Sequence, residues 1–492
     1  MTLITRDFFL MIKRFGLLGL ILFSFSAIHA QSYHALNGSP YAGVTSMYVN
    51  PASTVNSFYK WDATLIGIQF KTDQNLGYVK NSSVSDAENL TDTSGAPNNG
   101  MFRRHYHGVL DGQGFSFRYR INDKTAVALS FRGRTYNQFQ TNNLFFHDSI
   151  TSLNGFLKEN LPDHTIDFYG NHAGWFETNL NVSRVFVENS TSKLSVGLNV
   201  GFTKALSGTS FSLRNINYVQ LTNPSDNKVY YQANAGSLSY LLSSNVAYFD
   251  TVKLNSTSFM EFYKNSYSSI NFSLGVEYMV IDETVEADIN NRNYTWKFGA
   301  AIMDLGSLKY DYIKGSATNR IPNTNFIDTS IESRFSNVKT LAQFRNKVSP
   351  MFDNTDTLKG SFTVGTPARI VASVDRRFTQ TLSANFQASI NVVSTNSTNS
   401  INTRELNLFT LTPRWETQGF GFYLPIQYNN EKNLWVGAAI KIGPLLLGIH
   451  DFSVLGWFKK KDQTFNSGGY VMLNVYPYKK KNLDGSIKCR VL

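Results

Sequence analysis

A regular alternation of apolar and polar residues is the feature that most restricts how this chain can fold. It runs over residues 194–203, 270–280 and 382–392, where an apolar side chain stands at every second position. A period of two places successive side chains on opposite faces of a β-strand, so each segment predicts a strand with one apolar face. Each segment matches the roughly nine to eleven residues that a tilted strand needs to cross a bilayer. Together they predict a transmembrane β-barrel.

The composition favours spanning strands over spanning helices. Hydrophobic residues make up 42% of the chain and charged residues only 16%. Beyond the first thirty residues, no apolar run reaches the roughly eighteen residues that indicate a membrane helix. We therefore predict an all-β fold, a single closed antiparallel barrel of about fourteen strands. A soluble exported β-sandwich, with its apolar faces packed against each other, is the alternative.

Aromatic residues, 14% of the chain, would supply the belts at the two membrane surfaces. Trp61, Trp175, Trp296 and Trp435 all fall near the ends of predicted strands, as such belts require. The net charge of +11 is spread thinly, with dense patches only at residues 459–461 and 479–481. This distribution predicts contact with the lipid bilayer and no nucleic-acid partner.

The two ends of the chain differ from the region that alternates. Residues 1–30 combine basic residues, an apolar run and small residues before a cut after Ala30, as in a secretory signal peptide, which predicts export to the cell outer membrane. The remaining divisions are a small-residue hatch segment at 31–58, a barrel at 59–478 and a basic C-terminal tail at 479–492. Long external loops are predicted at about 138–170, 207–265 and 306–358.

Two groups of residues carry a resemblance to known families. Tyr41-Ala42-Gly43, followed by Asn50, Pro51 and Ala52, resembles the hatch of long-chain fatty acid transporter (FadL-like) barrels and of the type IX secretion carrier barrel. The segments 413–416, 421–426 and 443–445 are similar to a Bacteroidota outer-membrane β-barrel family of unassigned function. The resemblance implies that Asn50, Pro51 and Ala52 form a hatch inside a barrel of fourteen strands.

A run of arginines forms the second candidate site. Arg118 and Arg120 share one face of a predicted strand, and Arg132 and Arg134 share one face of the strand that follows. A charge on the lipid side costs roughly 2–4 kcal/mol at the midplane, so these arginines should face the lumen or lie beyond the membrane. As a polar ladder in the lumen they could hold the hatch, bind an anionic solute or simply line the rim.

No pattern in the sequence predicts catalysis. Neither a nucleophile elbow nor a phosphate-binding loop occurs, so we expect no enzyme activity, no cofactor and no metal site. His105 and His107 would share one face of a strand and could form a metal pair, but no carboxylate is in register, which favours two rim histidines.

Two functions remain open. The first is a barrel that mediates uptake or passage of a small hydrophobic or amphiphilic ligand. The second is a non-enzymatic scaffold or accessory subunit in a complex of other outer-membrane proteins that serves secretion or assembly. The sequence favours transport only slightly and identifies no solute.

Overall fold

The computed structural model describes residues 34–80, 95–163, 165–245, 256–281, 294–327, 331–335, 338, 340–393, 401–452, 462–464 and 467–477. The signal peptide predicted at residues 1–30 and the tail predicted at residues 479–492 lie outside these described ranges.

Most of the described chain is β-strand. The strands are β1 Trp61–Gln74, β2 Gly77–Lys80, β3 Gly95–Pro97, β4 Gly100–Asn122, β5 Thr125–Phe146, β6 Thr165–Glu188, β7 Ser192–Thr222, β8 Val229–Leu242, β9 Ser268–Ile281, β10 Tyr294–Asp311, β11 Ala317–Pro322, β12 Phe352–Thr357, β13 Ser361–Gly365, β14 Arg369–Arg377, β15 Leu382–Asn391, β16 Ile401–Asn402, β17 Leu408–Glu416, β18 Phe420–Tyr423, β19 Ile426–Asn429, β20 Leu434–Val436, β21 Ala438–Ile442, β22 Leu445–Ile449, β23 Asp462–Thr464 and β24 Ser467–Val475.

Helices are few and short. The α-helices are α1 Leu153–Glu159, α2 Ser256–Lys264, α3 Ile331–Phe335 and α4 Leu341–Val348, and the 3₁₀ helices are η1 His34–Leu36, η2 Gly43–Tyr48, η3 Pro51–Asn56, η4 Leu161–Asp163 and η5 Ser349–Met351. In the described ranges, none of the helices has the length and apolar character needed to cross a membrane.

The strands close into an antiparallel barrel, as the sequence predicted. The ring runs β1, β4, β5, β6, β7, β9, β10, β14, β15, β17, then β18 with β19, β20 with β21, β22 and β24. β18 and β19 both pair with β17 and together form one interrupted strand of the barrel, and β20 and β21 form the next one in the same way. With each of these pairs counted once, the barrel has fourteen strands. Pairing of β1 with β24 closes the ring and leaves no free edge in it.

The apolar faces of the strands point away from the interior. On β9, Ile270, Phe272 and Leu274 are all nearly half exposed, whereas Asn271 and Ser273 between them are buried. The same pattern holds on β15, where Leu382, Phe386 and Ile390 face outward. The interpretation as a sandwich is therefore wrong, because the apolar rows do not pack against each other. An outward apolar band and a polar interior are what lipid imposes on a barrel.

The three predicted loop regions contain more strand than expected. β5 continues to Phe146 and β6 begins at Thr165, within the region 138–170. The region 207–265 holds the second half of β7, β8 and α2, while 306–358 holds the end of β10 together with β11, β12, α3, α4 and η5. Alternation fades in these regions because a strand beyond the lipid needs no apolar outer face.

Residues 34–59, the N-terminal segment, precede the barrel in sequence and lie among its inward-facing side chains. The segment folds into η1, η2 and η3, and nearly all of its residues are buried. Its last part leads into β1, which begins at Trp61.

The loss of stability caused by a charge on the outward face of β9 should depend on where along the strand the charge is placed. Leu274→Arg places a cation in the middle of the apolar band, whereas Ser268→Arg places it at the exposed end of the same strand. We expect Leu274→Arg to lower the free energy of unfolding by about 2–4 kcal/mol and Ser268→Arg by no more than about 1 kcal/mol. Urea titration of the protein in vesicles measures both, and equal losses would contradict the outward placement of Leu274.

Candidate functional site in the lumen

The Asn50-Pro51-Ala52 turn opens η3 and docks against the wall of the barrel. The side-chain oxygen of Asn50 accepts a hydrogen bond from the Ala52 amide (3.0 Å), which caps the helix, and Pro51 occupies its first turn. The Asn50 amide group donates to the Val276 carbonyl on β9 (2.9 Å). One asparagine therefore both starts the helix and attaches it to the wall.

Two glycines of the wall make room for this turn. A Cβ atom added at Gly197 on β7 would overlap the backbone of Pro51, and one added at Gly275 on β9 would overlap the Asn50 side chain. The backbone of the turn can therefore approach these strands only where the wall carries no side chain.

Polar contacts hold the N-terminal segment from opposite sides of the lumen. Thr54 bonds to Asn181 (2.7 Å) on β6, and the Asn56 amide group donates to Glu277 (2.8 Å) on β9. On the other side, the Ser39 hydroxyl donates to Glu416 (2.6 Å) on β17. The segment is thus anchored to several strands at once.

Arg118, a predicted site residue, is fully buried and holds the C-terminal part of the N-terminal segment. Its guanidinium group donates to the carbonyls of Thr54 (3.2 Å) and Tyr59 and pairs with Asp62 (2.6 Å) on β1. The other oxygen of Asp62 accepts from the Val44 amide (2.6 Å). Asp62 was not predicted from the sequence, because its partners lie on other elements of the fold, Arg118 on β4 and Val44 in η2.

Arg414 holds the other end of the segment and was also missed as a site residue. It is fully buried, pairs with Asp375 (2.7 Å) and Glu416 (2.9 Å), and donates to the carbonyls of Asn37 (3.3 Å) and Gly38 (3.1 Å). The alternation on β17 places Arg414 on the inward face, and this was the one feature of the sequence that could have identified it as a site residue.

The four predicted arginines do not form one ladder. Arg118 hydrogen-bonds to the N-terminal segment, whereas Arg132 and Arg134 on β5 belong to a separate group of charges, from which Arg132 also reaches the Tyr48 ring of the segment. Arg120 lies on the inward side at the end of β4 beside the short turn and is only partly buried. Of the three roles considered, the structure places Arg118 against the N-terminal segment and Arg120 at the rim.

A central ion network crosses the lumen next to the N-terminal segment, on the side farther from the short turns between strands. It comprises Asp111, Arg132, Arg134, Glu177, Asp304, Arg369 and Glu405. Arg369 pairs with Asp304 (2.6 Å), Arg134 pairs with Asp304 (3.0 Å), and Arg132 pairs with Asp111. The network contains three cationic and four anionic groups.

An upper apolar cluster lies next to this network on the side away from the short turns. Its buried members are Tyr136, Ala173, Trp175, Ala205, Leu241, Leu308, Tyr310, Phe362 and Val364. Trp175 is fully buried and stacks on Tyr136, with ring centroids 5.4 Å apart. The prediction that Trp175 and Trp435 belong to the aromatic belts is wrong, because both rings are buried.

Residues 401–407, the inner strap, lie beside the upper apolar cluster. Ile401 packs against the cluster, and β16 pairs in parallel with β13. The strap is attached through the Thr403 amide to Gly365 (2.9 Å) and through the Glu405 amide to the Asn391 side chain (3.0 Å). It carries one carboxylate, Glu405, whose side chain is 13% exposed; this group accepts from the Tyr136 hydroxyl (2.6 Å) and faces Arg134 (3.5 Å) and Arg369 (3.6 Å).

A polar cavity of about 80 Å³ separates the N-terminal segment from part of the wall. Tyr48 and Asn56 from the segment line it together with Arg132, Arg369 and Glu405 from the ion network. This volume holds a few water molecules, but ligand pockets usually exceed roughly 300 Å³. The described lumen is therefore filled mainly by the chain itself.

His105 and His107 are both buried on β4, and two carboxylates accompany them. His105 bonds to Asp73 (2.7 Å) and faces Glu431 (3.5 Å), while His107 faces the other oxygen of Glu431 (3.5 Å). The expectation that no carboxylate was in register is wrong, because Asp73 pairs with His107 across β1 and β4. In the part of the chain that is described, no group of three or more His, Cys, Asp or Glu residues is arranged to hold a metal ion.

Acid should release the hairpin that carries Glu431. Burial alone would raise the pKa of Glu431, but the contacts with His107, His105 and Arg103 outweigh burial and lower this pKa to about 2. A lowered carboxyl pKa stabilises the attachment above the ordinary value near 4.5, and the stabilisation is lost as the pH falls towards 2. A spin label on Lys432→Cys, in a Cys489→Ser background, should become more mobile between pH 5 and pH 2.

The same label in a Glu431→Gln background provides the control for this pH effect. Glutamine cannot ionise, so its label should be mobile already at pH 7 and should respond little to acid. A label whose mobility falls with acid in the parent protein would contradict the assigned role of Glu431.

Loss of Arg118 should open the lumen more than loss of Arg120. Arg118→Leu leaves Asp62 buried without its partner and removes two bonds to the N-terminal segment, which costs about 3–5 kcal/mol. Arg120→Leu removes a charge at the rim only. We expect Arg118→Leu to admit small hydrophilic dyes across the envelope at several times the parental rate, and Arg120→Leu to behave as the parent. Equal leakage from both variants would contradict the role of Arg118.

Comparison with solved structures returns outer-membrane barrels. A Pseudomonas aeruginosa FadL homologue is 12% identical, with 92% of this chain and 98% of that chain covered and a TM-score of 0.40. The Ralstonia pickettii toluene transporter TbuX is also 12% identical, with 89% and 95% covered and a TM-score of 0.38.

Comparison with sequences gives one family and no relative of known role. The model of a family of unknown function, DUF5723, matches residues 51–449. No curated protein matches the chain.

Proposed function

The chain belongs to DUF5723, a family of unknown function, and we propose that it is an outer-membrane β-barrel that mediates uptake or passage of a small hydrophobic or amphiphilic ligand. The geometry of its own lumen is the basis for this role. The outward apolar band supports the membrane location, because such a band is stable in lipid and not in water. Cleavage of a signal peptide after Ala30 and export belong to the same proposal.

One observation carries the ligand class: the lumen contains an apolar, aromatic patch that is covered by a strap. Inward-facing residues of membrane barrels are generally polar. Here Tyr136 and Trp175 belong to the wall and pack against Leu308 and Tyr310 and against Phe362 from β13. Movement of β13 and the inner strap would expose a surface that favours an apolar guest, because burial of apolar area is the main driving force for such binding.

The strap itself has the chemistry of an amphiphile. Ile401 packs against the upper apolar cluster, and four residues later Glu405 places a carboxylate on Tyr136 and near Arg134 and Arg369. A ligand that replaces the strap would meet an apolar surface beside two guanidinium groups. This arrangement suits a molecule with an apolar body and a polar or anionic end.

In this proposal the N-terminal segment acts as a hatch. Asn50, Pro51 and Ala52 seat it on the glycines of β7 and β9, and Arg118 and Arg414 hold its two ends. Because a cavity of about 80 Å³ is too small for the ligand, passage requires both the hatch and the inner strap to move.

A reversible cross-link of the strap tests the proposal. Asn171 on β6 donates to the carbonyl of Asn402 in the strap (3.3 Å), so Asn171→Cys with Asn402→Cys should form a disulfide in a Cys489→Ser background. Cells that carry the oxidised pair should take up a fluorescent dodecyl probe at about the rate of cells without the barrel. Reductant should restore uptake in the same cells, and each single-cysteine variant should be insensitive to reductant.

Two outcomes would count against transport. Uptake that is the same in oxidised and reduced cells would exclude movement of the strap, and absence of uptake in the parent would exclude this ligand class. A second candidate, a non-enzymatic scaffold for other outer-membrane proteins, is favoured by the many bonds that fix the N-terminal segment. Stoichiometric partner proteins that copurify with the parent in mild detergent, together with absent uptake, would support the scaffold.

A further inference from the structure

Arg369 is the side chain through which the inner strap and the N-terminal segment meet. It lies at the start of β14, where it is buried, and its two terminal nitrogens point to different partners. One nitrogen bonds to Asp304 (2.6 Å) and faces Glu405 of the strap (3.6 Å). The other nitrogen donates to the carbonyl of Tyr48 in the N-terminal segment (3.3 Å).

Withdrawal of the strap changes the charge balance around Arg369. Arg134 and Arg369 share two carboxylates, Glu405 and Asp304, and without Glu405 they retain only Asp304 as their common partner. An uncompensated buried charge is strongly unfavourable, so the guanidinium group of Arg369 must reorient towards the remaining anion or water. Either movement weakens its bond to Tyr48.

The surroundings permit such a movement. The cavity of about 80 Å³ borders Arg369, Glu405 and Tyr48, so these groups can shift without first opening the wall. Asp304 has a positive φ of 55° in an irregular stretch of β10, a conformation uncommon for a residue other than glycine. A strained residue at the centre of a network is often associated with a site that has two states.

On the N-terminal side, Tyr48 links Arg369 to the opposite wall. Its hydroxyl bonds to Ser130 on β5, and the guanidinium group of Arg132 lies over its ring at 4.1 Å from the centroid. A shift of Tyr48 therefore disturbs contacts of the segment on two sides of the lumen.

We infer that Arg369 couples the inner strap to the N-terminal segment, so that displacement of Glu405 from above loosens the segment below. This inference rests on the proposed passage through the lumen and names how its two closures are coordinated. A ligand that displaces the strap would thereby loosen the N-terminal segment, which it must pass to leave the lumen. Coupling of this kind is reciprocal, so loosening of the segment must also loosen the strap.

Hydrogen exchange on the full chain in lipid nanodiscs, without any ligand, tests the coupling. Val49 and Asn50 report on the segment, because both amides donate to the Ser46 carbonyl (3.1 and 2.9 Å). Glu405→Gln removes the charge of the strap with little change in volume. We expect it to speed exchange at Val49 and Asn50 by about five-fold or more, the lower end of typical coupling.

The reciprocal variant starts from the segment. Tyr48→Phe removes only the hydroxyl that bonds to Ser130, and exchange at Thr403 and Glu405 of the strap should rise by a similar factor. Asp226→Asn serves as the control, because this exposed acid pairs with Lys228 (3.5 Å) in the turn between β7 and β8, outside both closures, and it should change neither reporter. Tyr136→Phe, which removes one hydrogen bond to Glu405, is a milder second variant on the strap side.

The outcomes separate this inference from the proposed function. Effects confined to the mutated element in both Glu405→Gln and Tyr48→Phe would overturn the coupling even if the parent takes up the dodecyl probe. Exchange that rises in both elements would support the coupling even if uptake is absent, and only the proposed passage would then fall.

Discussion

Lipid on the outside of a barrel determines how its inside must be built. The apolar residues of each strand are committed to the bilayer, so the inward positions are polar, and polar groups away from water need partners. In this protein the partners come from the chain itself. The N-terminal segment supplies backbone carbonyls to Arg118 and Arg414, and the wall supplies glycines on which Asn50 and Pro51 rest.

The same constraint explains the layers of the lumen. The N-terminal segment occupies the end near the short turns, the central ion network lies above it, and the upper apolar cluster lies beyond the network. Charges in the middle layer neutralise one another, because isolated ions in such a place would be far more costly than paired ones. Apolar side chains can face the interior in the third layer only because β13 and the inner strap cover them.

The sequence was sufficient for the barrel and for the direction of most strand residues. Alternation identified the outward rows, including Phe272 and Leu274, because lipid contact imposes a period of two. It was insufficient for Trp175, since an aromatic residue near a strand end is as consistent with a membrane belt as with an inner cluster. Asp62 and Arg414 went unrecognised because their partners come from distant parts of the chain. The inner strap has no periodic pattern that could have revealed it.

A carboxylate in the inner strap is informative about what that strap does. If the strap only covered an apolar cluster, an apolar residue in place of Glu405 would hold it equally well, because a buried ion pair often stabilises a protein no more than apolar residues of similar volume. Glu405 instead ties the strap to Arg134 and Arg369, which also serve Asp304 and the N-terminal segment. Such a bond resists withdrawal until another anion or a rearranged arginine compensates for it. A carboxylate at this position therefore favours a strap that closes the lumen firmly and can still be replaced by another anion.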